Sequence, residues 1–202
     1  MVADEKVAQQ LIHGEIALGG ELREISVLFC DIRGFTALTQ TMPPAEVIAM
    51  LNEHMTALTA VVKAHHGVLD KFVGDLLMAV FGAPVRHEND AGNAARCALA
   101  LVAARAELDR TARHQLPIGI GVASGTVVAG CMGSQERMNY TVLGERVNLA
   151  SRLCSIARAG EVLVDEATLA HLGSRVRTEA KGEVQLKGFA APVPVYRLVA
   201  VD

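Results

Sequence analysis

The stretch VLDKFVGDLLMAVF, residues 68–81, decides the fold. Two strand-length runs, Val68 to Val73 and Leu76 to Phe81, flank the pair Gly74-Asp75. A Gly-Asp pair between apolar runs is a hairpin signal, because glycine supplies the positive φ that tight turns need. Upstream, Gly67 closes a helix that Pro43-Pro44 can open, with Val47, Ile48, Leu51, Met55, Leu58 and Val62 on one apolar face. Further upstream, Ile25 to Cys30 is an almost unbroken apolar run and reads as a buried strand.

Downstream of the hairpin, Asn89 or Asp90 can cap a second long helix, with Ala94, Ala98, Leu101, Val102 and Leu108 facing inward. Ile118 to Val122 and Thr126 to Cys131 resume strand character, interrupted by glycines. Gly144 to Ala157 reads as a third helix stopped by Gly160, and short strands with one short helix finish the chain. To Val122 the order is strand, helix, strand, strand, helix, strand. That is the ferredoxin-like βαββαβ order of an α+β protein, with helices on one face of an antiparallel sheet. Additional α/β elements follow at the C-terminal end. In this order the first and third strands are neighbours, so Asp31, ending the first strand, meets Asp75 at the hairpin tip.

Composition narrows the function. With 202 residues, one domain with a substantial core is the natural expectation, and 51% apolar residues argue against global disorder. A net charge of -3 and only 3% aromatic residues give no support to nucleic-acid binding. Charges interrupt every apolar stretch, and MVADEKVAQQ lacks the pattern of a secretory signal, so a cytoplasmic domain without membrane contact is expected. Residues 1–24, with the flexible pair Gly19-Gly20, read as a leader or linker to a domain spanning 25–202. Cys30, Cys97, Cys131 and Cys154 are scattered within apolar runs and read as buried reduced thiols. His65-His66 reads as an exposed helix end, since no other ligand spacing accompanies it.

Two converging aspartates repel unless positive charge lies between them. Magnesium or manganese is the natural partner, as a hard cation that prefers carboxylate oxygens and leaves positions open for phosphate. Gly34 in FCDIRGFT, residues 29–36, lets the backbone turn closely enough for following amides to face a polyphosphate. Two unrelated turn aspartates would give the same spacing. In NLASR, Asn148 and Arg152 lie four apart on one helical face. Such a pair is either a solvated face or a device for orienting a sugar and neutralising a phosphoryl transition state.

VLFCDIRGFT, KFVGD and GERVNLASRL, in this order and spacing, resemble the class III nucleotidyl cyclase catalytic domain, over about Ile25 to Val199. The resemblance implies that Asp31 and Asp75, with the Ile32 carbonyl, hold two divalent cations (Mg2+ or Mn2+). It implies that Asn148 orients the ribose and Arg152 stabilises the pentacovalent phosphorus. Lys187 in QLKGF matches a phosphate-contacting lysine, and Phe35 and Thr36 are placed against the substrate. The reaction implied is in-line attack of the ribose 3′-hydroxyl on the α-phosphate with loss of pyrophosphate. One departure stands out: where many relatives carry arginine and histidine, GIGVASG has Gly119 and Ala123.

Lys71 and Thr141 occupy the family's two base-reading positions. Adenine offers an acceptor at N1 and a donor at the 6-amino group, which a donor-only lysine and an accepting hydroxyl complement. Guanine reverses both ends, and Lys71 would face its N1–H with two donors opposed. ATP is therefore the expected substrate, with a guanylate cyclase or a non-catalytic regulatory module of the same fold as the alternatives. A diguanylate cyclase is disfavoured, since Gly74-Asp75 is only a fragment of its GGDEF-type signature. The resemblance further implies a head-to-tail homodimer with two shared active sites. Asp31 and Asp75 come from one protomer and Lys71, Thr141, Asn148, Arg152 and Lys187 from the other, with Met132 to Tyr140 as an arm that helps the dimer. The threonine at 141 resembles a subgroup whose members often respond to bicarbonate, which makes bicarbonate a candidate regulator.

Overall fold

The computed structural model describes residues 20–134 and 137–202. Residues 1–19 of the expected leader, and 135–136 of the expected arm, lie outside the described residues.

The first apolar run extends in both directions into a long strand, β1 (Gly20–Ile32), so residues 20–24 belong to the sheet. A short helix, α1 (Phe35–Thr39), follows directly and was not legible in the sequence. Helix α2 (Pro44–Ala64) opens with proline in its first turn. The hairpin then forms as expected: β2 (Val68–Val73) and β3 (Leu76–Phe81) pair antiparallel across the Gly74-Asp75 turn. Helix α3 (Asp90–Asp109) is capped by Asn89, whose side chain accepts from the Gly92 amide at 2.9 Å.

The two glycine-broken strands expected next are one continuous strand, β4 (Ile118–Ser134). Its glycines do not interrupt pairing, because β1 runs alongside from Gly20↔Gly130 to Ile32↔Ile118. The remaining elements are β5 (Arg137–Leu143), α4 (Glu145–Ile156), β6 (Val162–Asp165), α5 (Glu166–Leu172), β7 (Val176–Val184) and β8 (Val193–Val201).

The eight strands form one sheet in the order β2-β3-β1-β4-β6-β8-β7, with β5 paired to the outer part of β4. Its first four members are the ferredoxin-like core, and β4–β6 is a parallel pair in an otherwise antiparallel sheet. Alternation along the strands sends side chains to two cores. Leu28, Cys30, Leu77, Ala79 and Phe81 pack under α2 and α3. Val27, Phe29, Met78 and Val80 pack with Leu149, Ala150 and Leu153 of α4 on the opposite face. The two core helices share one face as expected, and α4 covers the other.

One expected core position differs, and one unexpected residue takes its place. Ile48 is 60% exposed, and His54 takes the inward place on α2 at 1% exposure. Arg105 of α3 is buried beside it, pairing with Asp109 at 2.7 Å and lying 3.4 Å from His54 Nδ1. The buried arginine meets the histidine across the α2–α3 contact through one nitrogen of each, while His54 Nε2 and Arg105 Nε have no hydrogen-bond partner among the described residues, a polar arrangement that an apolar-only pattern cannot show. Cys30, Cys97 and Cys154 are buried free thiols, while Cys131 is half-buried. Among the described residues, no helix is long and apolar enough to cross a membrane.

Candidate active site

Antiparallel pairing of β1 with β3 in the register Cys30↔Leu77 brings the end of β1 beside the hairpin turn. Asp31 and Asp75 face each other there. Burial, then the hydrogen bond and the charge of Asp31, push the Asp75 carboxyl up to about 6, while the Asp75 and Ile32 amides pull it down. Among the described residues no group of three or more His, Cys, Asp or Glu could hold a metal ion, so protein carboxylates there number two, Asp31 and Asp75. The donor set fits a divalent cation nonetheless. Hard carboxylate oxygens crowd until one resists ionisation, which is the deficit a cation removes.

Sequence reasoning missed Arg33. Its guanidinium pairs with Asp31 through Nη2 and donates through Nη1 to the carbonyls of Cys154 (3.2 Å) and Ala157 (3.3 Å) at the end of α4. Its own amide donates to the Pro117 carbonyl at 2.7 Å. The signal available was an arginine two residues beyond a strand-end aspartate, with no hint of what else it would reach.

The second set of side chains lies around β2. Lys71 Nζ donates to Thr141 Oγ1 at 3.2 Å, so the two expected base-reading residues touch within one chain. Three strands, β3, β1 and β4, separate β2 from β5 in the pairing order. At about 4.8 Å per strand a flat sheet would hold them roughly 19 Å apart, so the β4–β5 ribbon must fold back across the sheet face. The sequence reading also missed Asp70, whose Oδ2 accepts from Thr141 at 3.1 Å and pairs with Lys71 at 3.1 Å.

Helix α4 carries Asn148, exposed, and Arg152, half-buried, as surface groups outside both hydrogen-bonded sets. The helix is seated tightly on β4, since a Cβ at Gly121 would meet the Ala150 carbonyl oxygen and the Cys154 amide at 2.2 Å. A Cβ at Gly119 would lie 2.8 Å from the Ala157 carbonyl oxygen, which explains why this position carries no side chain. Lys187 is exposed at a turn after β7, beside the buried anchor Leu186. Gly34 caps α1 at φ 75, a left-handed conformation that favours glycine. Phe35 packs against the core below α2 and α3, and Thr36 is exposed.

A split βαβ sheet with two aspartates facing each other where the end of β1 meets the β2–β3 turn, and a lysine–threonine contact between β2 and β5, is the arrangement of a nucleotidyl-cyclase type of catalytic domain. The chain belongs to the family of adenylate and guanylate cyclase catalytic domains, whose model matches residues 20–200. It is 40% identical over 190 residues to the uncharacterized protein Rv1318c of Mycobacterium tuberculosis, covering 91% of this chain and 34% of that one. The chain thus spans about a third of the length of that relative. Among solved structures it resembles the guanylyl cyclase Cya2, with TM-score 0.87, 34% identity, and coverage of 92% of this chain and 96% of that one. It also resembles the adenylyl cyclase CyaB from P. aeruginosa, with TM-score 0.84, 32% identity, and coverage of 92% and 98%.

Proposed function

We propose that the chain is an adenylate cyclase, converting ATP to 3′,5′-cyclic AMP and pyrophosphate. Overall similarity does not choose the base, because a guanylyl and an adenylyl cyclase are almost equally similar, at 34% and 32% identity. The observation that carries the reading is the contact between Lys71 and Thr141. A donor-only ammonium beside a hydroxyl complements the adenine edge and opposes guanine N1–H with a second donor.

Asp31 and Asp75, with the Ile32 carbonyl, would hold two Mg2+ or Mn2+ ions. Bound there, divalent cations supply Lewis acidity toward the ribose hydroxyl and offset the charge that develops on phosphate. Arg33 holds Asp31 in place toward that site. Asn148 orients the ribose, Arg152 stabilises charge on the transferring phosphorus, and Lys187, Phe35 and Thr36 border the polyphosphate.

The chain works as a homodimer with two shared sites, each drawing aspartates from one protomer and Lys71, Thr141, Asn148 and Arg152 from its partner. Exposed apolar side chains on the β4–β5 ribbon, Val128 at 43%, Met132 at 46% and Leu143 at 47%, support an interface there. Bicarbonate as a regulator rests on the identity of residue 141 alone. The test is to incubate the purified chain with ATP or GTP and either Mg2+ or Mn2+. Cyclic AMP should dominate, and a product that is mainly cyclic GMP, or no cyclic nucleotide at all, overturns the reading.

A further inference from the structure

A hydroxyl can donate as readily as it accepts. Thr141 by itself would therefore serve guanine O6 as a donor as well as it serves the adenine amino group as an acceptor. Something must set its polarity, and the structure holds a group suited to it. Asp70 Oδ2, Thr141 Oγ1 and Lys71 Nζ form a triangle with sides of 3.1, 3.1 and 3.2 Å. The Asp70 side chain is 5% exposed, while that of Lys71 is 47% exposed and open to a ligand.

The backbone is shaped to make this triangle. In a regular strand, consecutive residues point to opposite faces, so Asp70 and Lys71 could not both reach Thr141. The pairing of β2 with β3 slips between Leu69↔Ala79 and Lys71↔Met78, leaving Asp70 as the extra residue of a β-bulge. Bulges re-aim side chains, and this one turns two successive residues toward one hydroxyl.

We propose that Asp70 is a specificity-determining positioning residue, which commits the Thr141 hydroxyl to act as an acceptor toward the base. An ionised Asp70 only accepts, so the Thr141 proton points to it and the oxygen lone pairs are left for Lys71 and for an exocyclic amine. Lys71 uses one proton on Asp70 and one on Thr141, and keeps the third for a ring-nitrogen acceptor. The pocket edge then shows one donor and one acceptor in the order that matches adenine. Burial raises the Asp70 pKa, and the charge and hydrogen bond of Lys71, with that of Thr141, act against it. The lysine thereby helps to keep its own partner ionised. Asp70 does not touch the base and acts through Thr141.

This inference rests on the adenylate cyclase reading, and the experiment separates the two. Steady-state kcat and KM for ATP and for GTP are measured on the full chain for wild type, Asp70→Ala, Asp70→Asn, Thr141→Val and Asp70→Ala/Thr141→Val. Thermal unfolding and gel filtration check fold and assembly. Freeing one buried donor typically changes discrimination by about tenfold or more, so the ATP/GTP ratio of kcat/KM should fall by about that factor in Asp70→Ala. Asp70→Asn, whose Oδ1 still accepts from Thr141, should stay near the wild-type ratio. In the Thr141→Val background, Asp70→Ala should change the ratio no further, because residues acting as one unit are not additive. Should Asp70→Ala not fold, the near-isosteric Asp70→Leu carries the same comparison. A folded Asp70→Ala that keeps the wild-type ratio, or an Asn variant that loses as much as the Ala variant, overturns the role of Asp70 alone. A wild type that does not favour ATP overturns the functional reading itself.

Discussion

Arg33 joins the Asp31 carboxylate to the last carbonyls of α4, bridging the carboxylate corner of the sheet to the helix that bears Asn148 and Arg152. The link spans more than 120 residues of sequence, since Cys154 is 121 positions from Arg33. It tethers the end of β1, where Asp31 sits, to the packed second core.

Arg33→Ala should therefore loosen both ends. Losing charged hydrogen bonds to partly buried acceptors costs about 1–3 kcal/mol, a fall in Tm of roughly 3–10 °C for a chain of this size. Arg33→Lys should not restore it, because one ammonium lacks the planar fork that serves a carboxylate and two carbonyls together. Calorimetry on the three proteins checks this, and an unchanged Tm in Arg33→Ala would refute the tether.

Stability should fall in mild acid, and His54 should be a cause. Burial, and then the Arg105 charge, lower its pKa from 6.5 to about 4, with Asp109 acting the other way. Below pH 6.5 the unfolded chain takes up a proton that folded His54 refuses, so its contribution is complete above pH 6.5 and is lost between 6.5 and 4. The shift corresponds to at most about 3 kcal/mol. Urea unfolding of wild type and His54→Gln at pH 4.5, 5.5, 6.5 and 7.5 should show a shallower acid slope in the variant. Equal slopes would assign the acid sensitivity to other groups.

Arg152→Ala should reduce kcat by on the order of 10²–10³, the usual effect of removing one transition-state donor. KM for ATP should change far less. A change mainly in KM would place Arg152 in ground-state binding instead.

The proposed subunit sharing makes a prediction that no single mutant can. Asp31→Ala and Arg152→Ala should each be nearly inactive, because both sites of either homodimer carry the defect. Mixed, they form heterodimers in which both defects fall in one site and the other site is whole. With free exchange and equal affinities about half the dimers are mixed, so activity should return to roughly a quarter of wild type. If exchange is verified by labelled subunits and activity stays absent, the sites are not shared in this way.

Most strands and helices were legible because they are written in local periodicity. The hairpin at Gly74-Asp75, the proline start of α2 and the Asn89 cap of α3 each depend on a few adjacent residues. The meeting of Asp31 and Asp75 was legible too, because the βαββαβ order alone makes β1 and β3 neighbours. Tertiary structure decided the rest. His54 replaces Ile48 in the core because a buried arginine on another helix faces it. The glycines of β4 read as breaks, but β1 pairs alongside them, α4 requires bare backbone at Gly121, and the segment just after α4 requires it at Gly119. Asp70 joins Lys71 only because a bulge overrides strand alternation, and it reaches Thr141 across 71 positions of sequence. A bulge and a folded-back ribbon are settled by the packing of distant segments, whose energy no local stretch contains; the residues they bring together become a site only once the chain has closed on itself.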